Sequence, residues 1–455
     1  MTPANFFNEA YLKDYFNRNI LKKKGGGRDN LTPDKYLEKY GKDFGKIAGQ
    51  CLNGTYRFSY YNEKLIVKSS KKYPRVISIP SIRDRLVLGV LNDYLSSVFS
   101  DCINHDVPNG LMSKVVTSMK ETEGEVGFLR TDFHDFYGSI YIKMLMNILS
   151  SRISDEHIRM LIYNAITTPT ISGHKPRKAI RKNKAGIPQG LAISNILASI
   201  YMLSFDKEFG INSAELYIRY VDDILFLNPK SMGLKNRMLK EIRRRNLRLR
   251  LSTEKCKSGI VGKDMLDFIG YVVTDKEHVF IRERNVTNFL SRVAAKVSRC
   301  KEGLEKEYKR PQFIIKTEDY IDYYVEDLNQ LISGFKYGRH LYGWLPYFQA
   351  ITDVASLYGM DRVIKNRLLK DLPTDISSRV NSLVDTYYAI RRQGGGTIVK
   401  DYDSLGTPSE KKVLLMRMGR IDVDKTYTDE QINHYFDSYM DFIKNRAELN
   451  IGETS

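Results

Sequence analysis

Apolar positions recur at three- and four-residue spacing along most of this chain, interrupted by short runs at two-residue spacing, and the two periods divide it into elements. Residues 1–50 read as an amphipathic helix, a basic glycine stretch KKKGGGRDN at 22–30, and a second helix opened by the N-cap signal LTPDKY. From Tyr56 to Ile79 the runs RFSYY, LIVKSS and RVISIP alternate, which suits a hairpin carrying basic residues. Helix returns at RDRLVLGVLNDYLSSVF, and GEVGFLRTDFHDFYGSI reads as a strand with an abrupt polar break. The turn-rich KAGIPQGLAISN opens the apolar helix ILASIYMLSF, and ELYIRYVDDILFL reads as two short strands around an acidic turn. This alternation predicts an α+β domain centred on an antiparallel sheet.

Beyond Tyr271 the pattern changes to long, charged, helical segments, NFLSRVAAKVSRCKEGLEKEYKR and then YGWLPYFQAITDVASLYGMDRVIKNRLLKDL, which predict a separate helical module. A break at RRQGGGTIVKDYDSLGTPSEKK precedes a last helix, TDEQINHYFDSYMDFIKNRAEL, begun by a Thr cap. No internal repeat is present.

Composition narrows the partner class. A length of 455 residues suits two or three packed units, and 72 Lys plus Arg against 54 Asp plus Glu leave a net charge of +18. That excess fits a polyanionic partner, nucleic acid first, or a generally basic surface. Cys51, Cys102, Cys256 and Cys300 lie far apart, against a zinc site or a disulfide framework. The first residues lack the order of a signal peptide and no stretch approaches the roughly eighteen apolar residues of a membrane span, so a cytoplasmic, reducing location without membrane contact is expected.

The sharpest chemical feature is Tyr220-Val221-Asp222-Asp223, flanked by β-formers, which places adjacent carboxylates at a hairpin tip. Alone it reads more readily as an ordinary acidic turn, because Asp is common in turns. Asp132, at the end of an apolar strand, reads alone as a helix cap. Together they carry more, because phosphoryl transfer with two Mg2+ ions needs carboxylates from neighbouring strands to hold metal beside a 3′-hydroxyl and a leaving pyrophosphate. Asp135, three residues on, reads as a capping or backbone-contacting residue.

Asp132 with Phe136-Tyr137, then Gly186-Ile187-Pro188-Gln189-Gly190, then Tyr220-Val221-Asp222-Asp223, in that order, resemble the palm motifs of reverse transcriptases. Upstream, the segment from Arg75 through Pro80 to Arg83-Asp84-Arg85 resembles the fingers of group II intron and bacterial members, and Asn109-Gly110-Leu111 stands where those proteins carry a short turn. Downstream, Leu251 to Lys255 resembles the lysine-bearing motif and Phe268-Ile269-Gly270-Tyr271 the primer-grip hairpin, so the match covers about residues 25–275.

The resemblance implies a right-hand polymerase of α+β class: an N-terminal segment and fingers over 1–125, continuing in part to about 190, an antiparallel-sheet palm over 126–275, a helical thumb over 276–374, and a helical C-terminal extension over 375–455. It implies catalysis by Asp132, Asp222 and Asp223, with two Mg2+ ions, or Mn2+ in their place, held by these and Phe133. Tyr137 would lie under the incoming sugar and exclude a 2′-hydroxyl, unless it is a core aromatic beside Phe136. Gln189 would support the nucleotide stack, Arg75 would grip the triphosphate, helped by Lys71 or Lys72, and Lys255 would donate a proton to pyrophosphate. Arg83, Arg85, Lys336 and Arg339, with His340, would face nucleic acid, while Trp344, Tyr347 and Phe348 read as thumb core. For the lysines, a solvated surface is the plainer reading.

No HNH-type cluster, zinc ligand set, ribonuclease H or integrase segment is recognisable, which fits a stand-alone bacterial enzyme better than a mobile-element protein. The fingers and the extension resemble defence-associated reverse transcriptases that act against phage. The expected partners are deoxynucleoside triphosphates, a DNA product, an RNA template, in particular a structured non-coding RNA, and a second copy of the chain. An RNA-synthesising or untemplated polymerase and a non-enzymatic RNA scaffold are the alternatives; Tyr137 argues against the former and the intact carboxylates against the latter.

Overall fold

The helix predicted at LTPDKY begins where its caps place it: the Thr32 hydroxyl accepts from Lys35 N–H, and Pro33 opens the helix Pro33–Tyr40. The computed structural model describes residues 1–21, 29–66, 74–102, 107–172, 182–210, 215–228 and 233–451. Most of the basic glycine stretch, and both Lys71 and Lys72, lie outside the described residues.

The chain packs as two compact units, Met1–His105 with Leu129–Lys257, and Asp106–Phe128 with Ser258–Ser455. In the first, the alternating segment forms the antiparallel pair β1 (Tyr61–Ile66) and β2 (Arg75–Ile79), in register from Asn62 opposite Ile79 to Ile66 opposite Arg75. Strand β3 (Gly127–Asp132) follows, then the short β4 (Thr170–Ile171), which runs parallel to β1. The acidic segment folds as predicted into the hairpin of β5 (Leu216–Tyr220) and β6 (Asp223–Leu227), and β7 (Lys257–Ile260) completes a four-stranded sheet in the order β5-β6-β3-β7. Every residue of β6 is buried, because its run of apolar side chains is covered by helices that include the apolar Ser194–Gly210. The helix Ile82–Val98 is capped by Ser81, whose hydroxyl accepts from Asp84 N–H. In the second unit, Asn109-Gly110-Leu111 is the first turn of a helix, Pro108–Glu121, rather than a free turn.

The second unit opens with the meander β8 (Leu266–Phe268), β9 (Tyr271–Val273) and β10 (Val279–Ile281), whose first turn puts Ile269 and Gly270 at φ of 40° and 88°. Long helices Glu283–Glu305 and Thr317–Ile332 follow. The next stretch, read from sequence as helical, is instead the hairpin β11 (Phe335–Tyr337) and β12 (His340–Tyr342), with β13 (Lys400–Asp401) parallel to β11. Glycines cause the difference. Gly334 sits at φ 72°, where an added Cβ would lie 2.2 Å from the Tyr342 carbonyl oxygen, and Gly338 with Arg339 forms a two-residue turn at φ of 59° and 64°.

A second difference lies in the supposed break before the last helix. Thr407 and Glu410 form a reciprocal capping box with Pro408 between them, so Pro408–Arg417 is helical. This helix and the terminal Asp429–Ile451, whose Thr428 hydroxyl accepts from Gln431 N–H as the predicted cap, share one core with Phe335 and Tyr402. The extension therefore packs as part of the second unit's own core. Trp344, Tyr347 and Phe348 are buried as expected. Among the described residues no helix is long and apolar enough to cross a membrane.

Candidate active site

Asp132 ends β3 and Asp223 begins β6, its sheet neighbour, so the strand order alone brings the two predicted segments side by side. Backbone bonds fix the register. Phe133 N–H donates to the Asp222 carbonyl at 3.3 Å, His134 N–H to Arg250 at 2.8 Å, and Ser252 N–H to Asp132 at 2.8 Å. The lysine-bearing segment is thereby laid along the end of β3, and the Lys255 ammonium forms an ion pair with Asp132 Oδ2.

The hairpin tip is strained. Tyr220 and Asp223 close the ladder, leaving Val221 and Asp222 as the turn, with the β-branched Val221 at φ 58°, a region that favours glycine. Arg219 holds this turn: its guanidinium donates to the Val221 carbonyl at 2.8 Å while gripping Asp206 through two nitrogens.

Electrostatics separate the three carboxylates. Asp223 is wholly buried and pairs with Arg130 Nη2 at 3.2 Å; burial raises its pKa to about 6, Arg130 offsetting part of the rise. Asp222 is raised by burial and then by the charge of Asp132, while Lys255 and Arg75 pull it down. Asp132 Oδ1 and Asp223 Oδ2 are buried atoms without a hydrogen-bond partner, and a buried carboxylate oxygen left bare is costly unless a cation completes it. Among the described residues no three His, Cys, Asp or Glu side chains converge as a ready-made metal cage. Polymerase magnesium does not require one, since it is held by one or two carboxylates together with water and substrate phosphates. The donor set fits such an ion. Phe133, whose ring is buried and stacked at 5.5 Å on Phe136, has only its backbone carbonyl to offer.

Around the carboxylates stand several other predicted residues. The Tyr137 hydroxyl donates to Asn195 Oδ1 at 2.6 Å, and its phenol is pushed up to about 12 by burial and then by the charge of Asp222. Arg75 opens β2, and its charge lowers the pKa of both Asp222 and Tyr137. The Gly186–Gly190 segment is stitched in by backbone bonds from Gly186 to Ile140, from Ile187 to Tyr137 and from Ser78 to Gln189. Gly186 allows the closest approach, since a Cβ there would meet Gly138 backbone at 2.8 Å. Asp135 precedes the short helix Phe136–Ser139 in a left-handed conformation, and its main-chain carbonyl accepts from Ser139 N–H while its side chain makes no cap bond.

The remaining predicted residues lie in other surroundings. Arg83 stacks on Tyr56 and donates to the Arg57 carbonyl at 2.9 Å, Arg85 is half-buried, Lys336 pairs with Asp401 at 2.8 Å, and Arg339 is exposed in its turn. Sequence reasoning missed Arg130, Asn195 and Arg219. Arg130 alone left a local signal, a cation two residues before Asp132 on an apolar strand.

Residues 66–273 match the family described as reverse transcriptase (RNA-dependent DNA polymerase). A group II intron-encoded protein, LtrA of Lactococcus lactis, is 26% identical over 199 residues, covering 42% of this chain and 32% of the relative. A putative COX1/OXI3 intron 2 protein of Saccharomyces cerevisiae is 24% identical over 200 residues, 41% of this chain and 22% of the relative. The chain thus spans about a third or less of the length of these two relatives. Apo telomerase from Candida tropicalis superposes at a TM-score of 0.41 and 10% identity, covering 84% of this chain and 69% of that one. With the carboxylate-bearing sheet, the Gly186–Gly190 segment and the lysine-bearing segment all inside the matched span, the chain carries a reverse transcriptase domain related to those of group II intron proteins.

Proposed function

We propose that this protein is an RNA-directed DNA polymerase that adds deoxynucleotides to a primer by two-metal nucleotidyl transfer. The observation that supports this most is the Phe133-to-Asp222 backbone bond, which sets Asp132 so close to the acidic turn that its charge opposes ionisation of Asp222. Asp132 and Asp222 would hold Mg2+, or Mn2+, with the Phe133 carbonyl, and Asp223 would support them from the buried side. An ion held there would supply activation of the primer hydroxyl and neutralisation of the leaving pyrophosphate.

The chain's own residues supply the rest. Tyr137, fixed by Asn195, excludes the 2′-hydroxyl, Arg75 grips the triphosphate, and Lys255, released from Asp132, protonates the leaving pyrophosphate. Gln189, its carbonyl bonded to Ser78, backs the nucleotide stack. In this reading residues 1–125 and on to about 190 serve as fingers, 126–275 as palm, 276–374 as thumb and 375–455 as extension. Arg83, Arg85, Lys336 and Arg339 take phosphates of the template and product duplex. The net charge of +18 suits many phosphate contacts with RNA, whose selectivity would come from RNA shape and unpaired loops. A dedicated structured non-coding RNA as template, a cytoplasmic setting and a second copy of the chain complete the reading. The antiphage setting rests on the resemblance of the fingers and extension to defence-associated enzymes.

Primer extension on an RNA template with deoxynucleotides and Mg2+ tests the activity. DNA product that disappears with chelator is expected, and no product on any primed RNA would end the proposal. Sequencing the RNA that co-purifies tests the template: one dominant species is expected, whereas a spread mirroring total cell RNA would exclude a dedicated one.

A further inference from the structure

On the first unit, away from the carboxylates, lies a cleft of about 660 Å³ whose lining includes Tyr141, Lys143, Asn147, Tyr163, Lys182 and Lys184. Among the described residues that line it there is no acidic side chain, and none of Asp132, Tyr137, Asp222 or Lys255. Its walls are the helices Ile142–Ser150 and Glu156–Thr167 and the segment before Gly186. That segment is anchored: Asn183 N–H donates to the Thr167 carbonyl at 2.9 Å, Asn183 Nδ2 to the Thr168 carbonyl at 3.2 Å, and Gly186 N–H to Ile140 at 3.1 Å.

The chemistry of the lining is specific. Lys182 donates to Asn164 Oδ1 at 3.0 Å and sits 5.6 Å from the Tyr163 ring centroid, while the Arg248 guanidinium lies 3.7 Å from the ring centroid of Tyr141. Lys143, Lys182 and Lys184 are all exposed. Three ammonium groups gathered with no carboxylate among them repel one another and attract a polyanion. Two phenol rings lie beside them, Tyr141 with Arg248 already over one face, and cations with aromatic rings are the combination by which single-stranded nucleic acid is held without sequence preference. Three exposed lysines outnumber the need of one monophosphate and suit successive phosphates of a strand.

We propose that this cleft is a second nucleic-acid site, which takes an unpaired nucleotide of single-stranded RNA, its base against Tyr141 and Tyr163 and its flanking phosphates on Lys143, Lys182 and Lys184. The inference rests on the reading of the chain as an RNA-templated polymerase. It adds a holding point for unpaired RNA separate from the catalytic carboxylates.

The test uses the full chain and a single-stranded RNA 12-mer carrying 4-thiouridine, crosslinked and mapped by mass spectrometry, with primer extension measured on the same preparations. Crosslinks at Tyr141 or Tyr163 are expected. Lys143→Ala with Lys184→Ala should weaken binding of the 12-mer roughly tenfold and flatten its log–log salt slope by about 1.4, while a blunt duplex binds unchanged. Tyr163→Ala should weaken it by a similar factor and Tyr163→Phe should restore it. Crosslinks confined to other surfaces, unchanged affinity in the double lysine variant, or displacement by a mononucleotide as effective as by the strand would overturn the proposal. Mapped crosslinks in a preparation that makes no DNA would sink the polymerase reading and leave the cleft standing; DNA synthesis without them would do the reverse.

Discussion

Each of the two units buries carboxylates among cations, and they do so to opposite ends. In the second unit Asp327 is 7% exposed, and both its oxygens are used: Lys296 pairs with one and Arg446, from the terminal helix, reaches the other at 2.5 Å. One helical turn on, Gln330 donates to the hydroxyls of Tyr402 and Tyr439 at 2.6 Å and accepts from Arg446 at 2.9 Å, while Tyr402 donates to Glu326. In the first unit Asp132 and Asp223 each keep one buried oxygen bare. A saturated network fixes a structure, whereas an unsaturated one stores electrostatic demand that a ligand can meet. The comparison makes the Asp327 cluster a clamp for the C-terminal helix and supports the proposal of the Asp132 cluster as a binding centre.

The largest effect that could break this contrast is on catalysis. Asp222→Ala with Asp223→Ala should lower incorporation at least about a thousandfold while leaving the circular dichroism spectrum unchanged, because the donors are lost but the sheet is not. Incorporation at the wild-type rate would show that the bare oxygens serve nothing. Removing the clamp should give the opposite profile. Asp327→Ala strands Lys296 in a buried position and should cost about 3 to 5 kcal/mol in urea unfolding of the second unit.

Acid sharpens the same point. Burial opposes the charge on Asp327, but Lys296 and Arg446 outweigh it and hold the carboxyl below the ordinary carboxylate range. A depressed carboxylate contributes its full stability above the unfolded value of about 4 and loses it as pH falls through the folded value. The stability gap between wild type and Asp327→Asn should therefore be widest at neutral pH and close progressively below about pH 4. A gap constant from pH 7 to pH 2.5 would mean the ion pair is not what Asp327 contributes.

These two clusters also mark what the sequence made legible. The acidic hairpin, the apolar strand ending at Asp132 and the Gly186–Gly190 turn are local patterns of period and turn chemistry, and each was recoverable from a window of a dozen residues. The clamp was not, because Lys296, Asp327 and Arg446 are scattered over three helices and look there like solvated charges. The ion pair of Lys336 was hidden for the same reason: its partner, Asp401, is 65 positions away. The β11–β12 hairpin failed locally, since its aromatic residues fit a helical face and only the glycines at 334 and 338 signalled otherwise. The capping box at Thr407 was readable and overlooked, its Thr-Pro-Ser-Glu submerged in a glycine-rich neighbourhood.

A smaller effect concerns selectivity at the binding centre. Tyr137 is held by Asn195 and feels the charge of Asp222, so its ring is oriented rather than merely packed against Phe136. Tyr137→Ala should raise ribonucleotide use relative to deoxynucleotide use roughly tenfold or more in competitive incorporation. An unchanged ratio would return Tyr137 to the core.

The smallest effect tests whether the centre carries strain that the clamp lacks. Val221 holds φ 58° at the tip of the acidic hairpin, a conformation that costs an L-residue about 1 to 2 kcal/mol and a glycine almost nothing. Replacing it by glycine relieves that cost but adds chain entropy to the unfolded state, of order 0.5 to 1 kcal/mol. The two nearly cancel, so Val221→Gly should be neutral or stabilising by up to about 1 kcal/mol, unlike most substitutions of a β-branched strand-end residue. Activity should move the other way. Arg219 still ties the residue 221 carbonyl, but the turn loses the side chain that restricts it, and Asp222 is no longer held in one orientation against Asp132. A variant at least as stable as wild type with a several-fold lower rate is the expected pair of results. Loss of both stability and rate would show that Val221 is packed in place rather than strained.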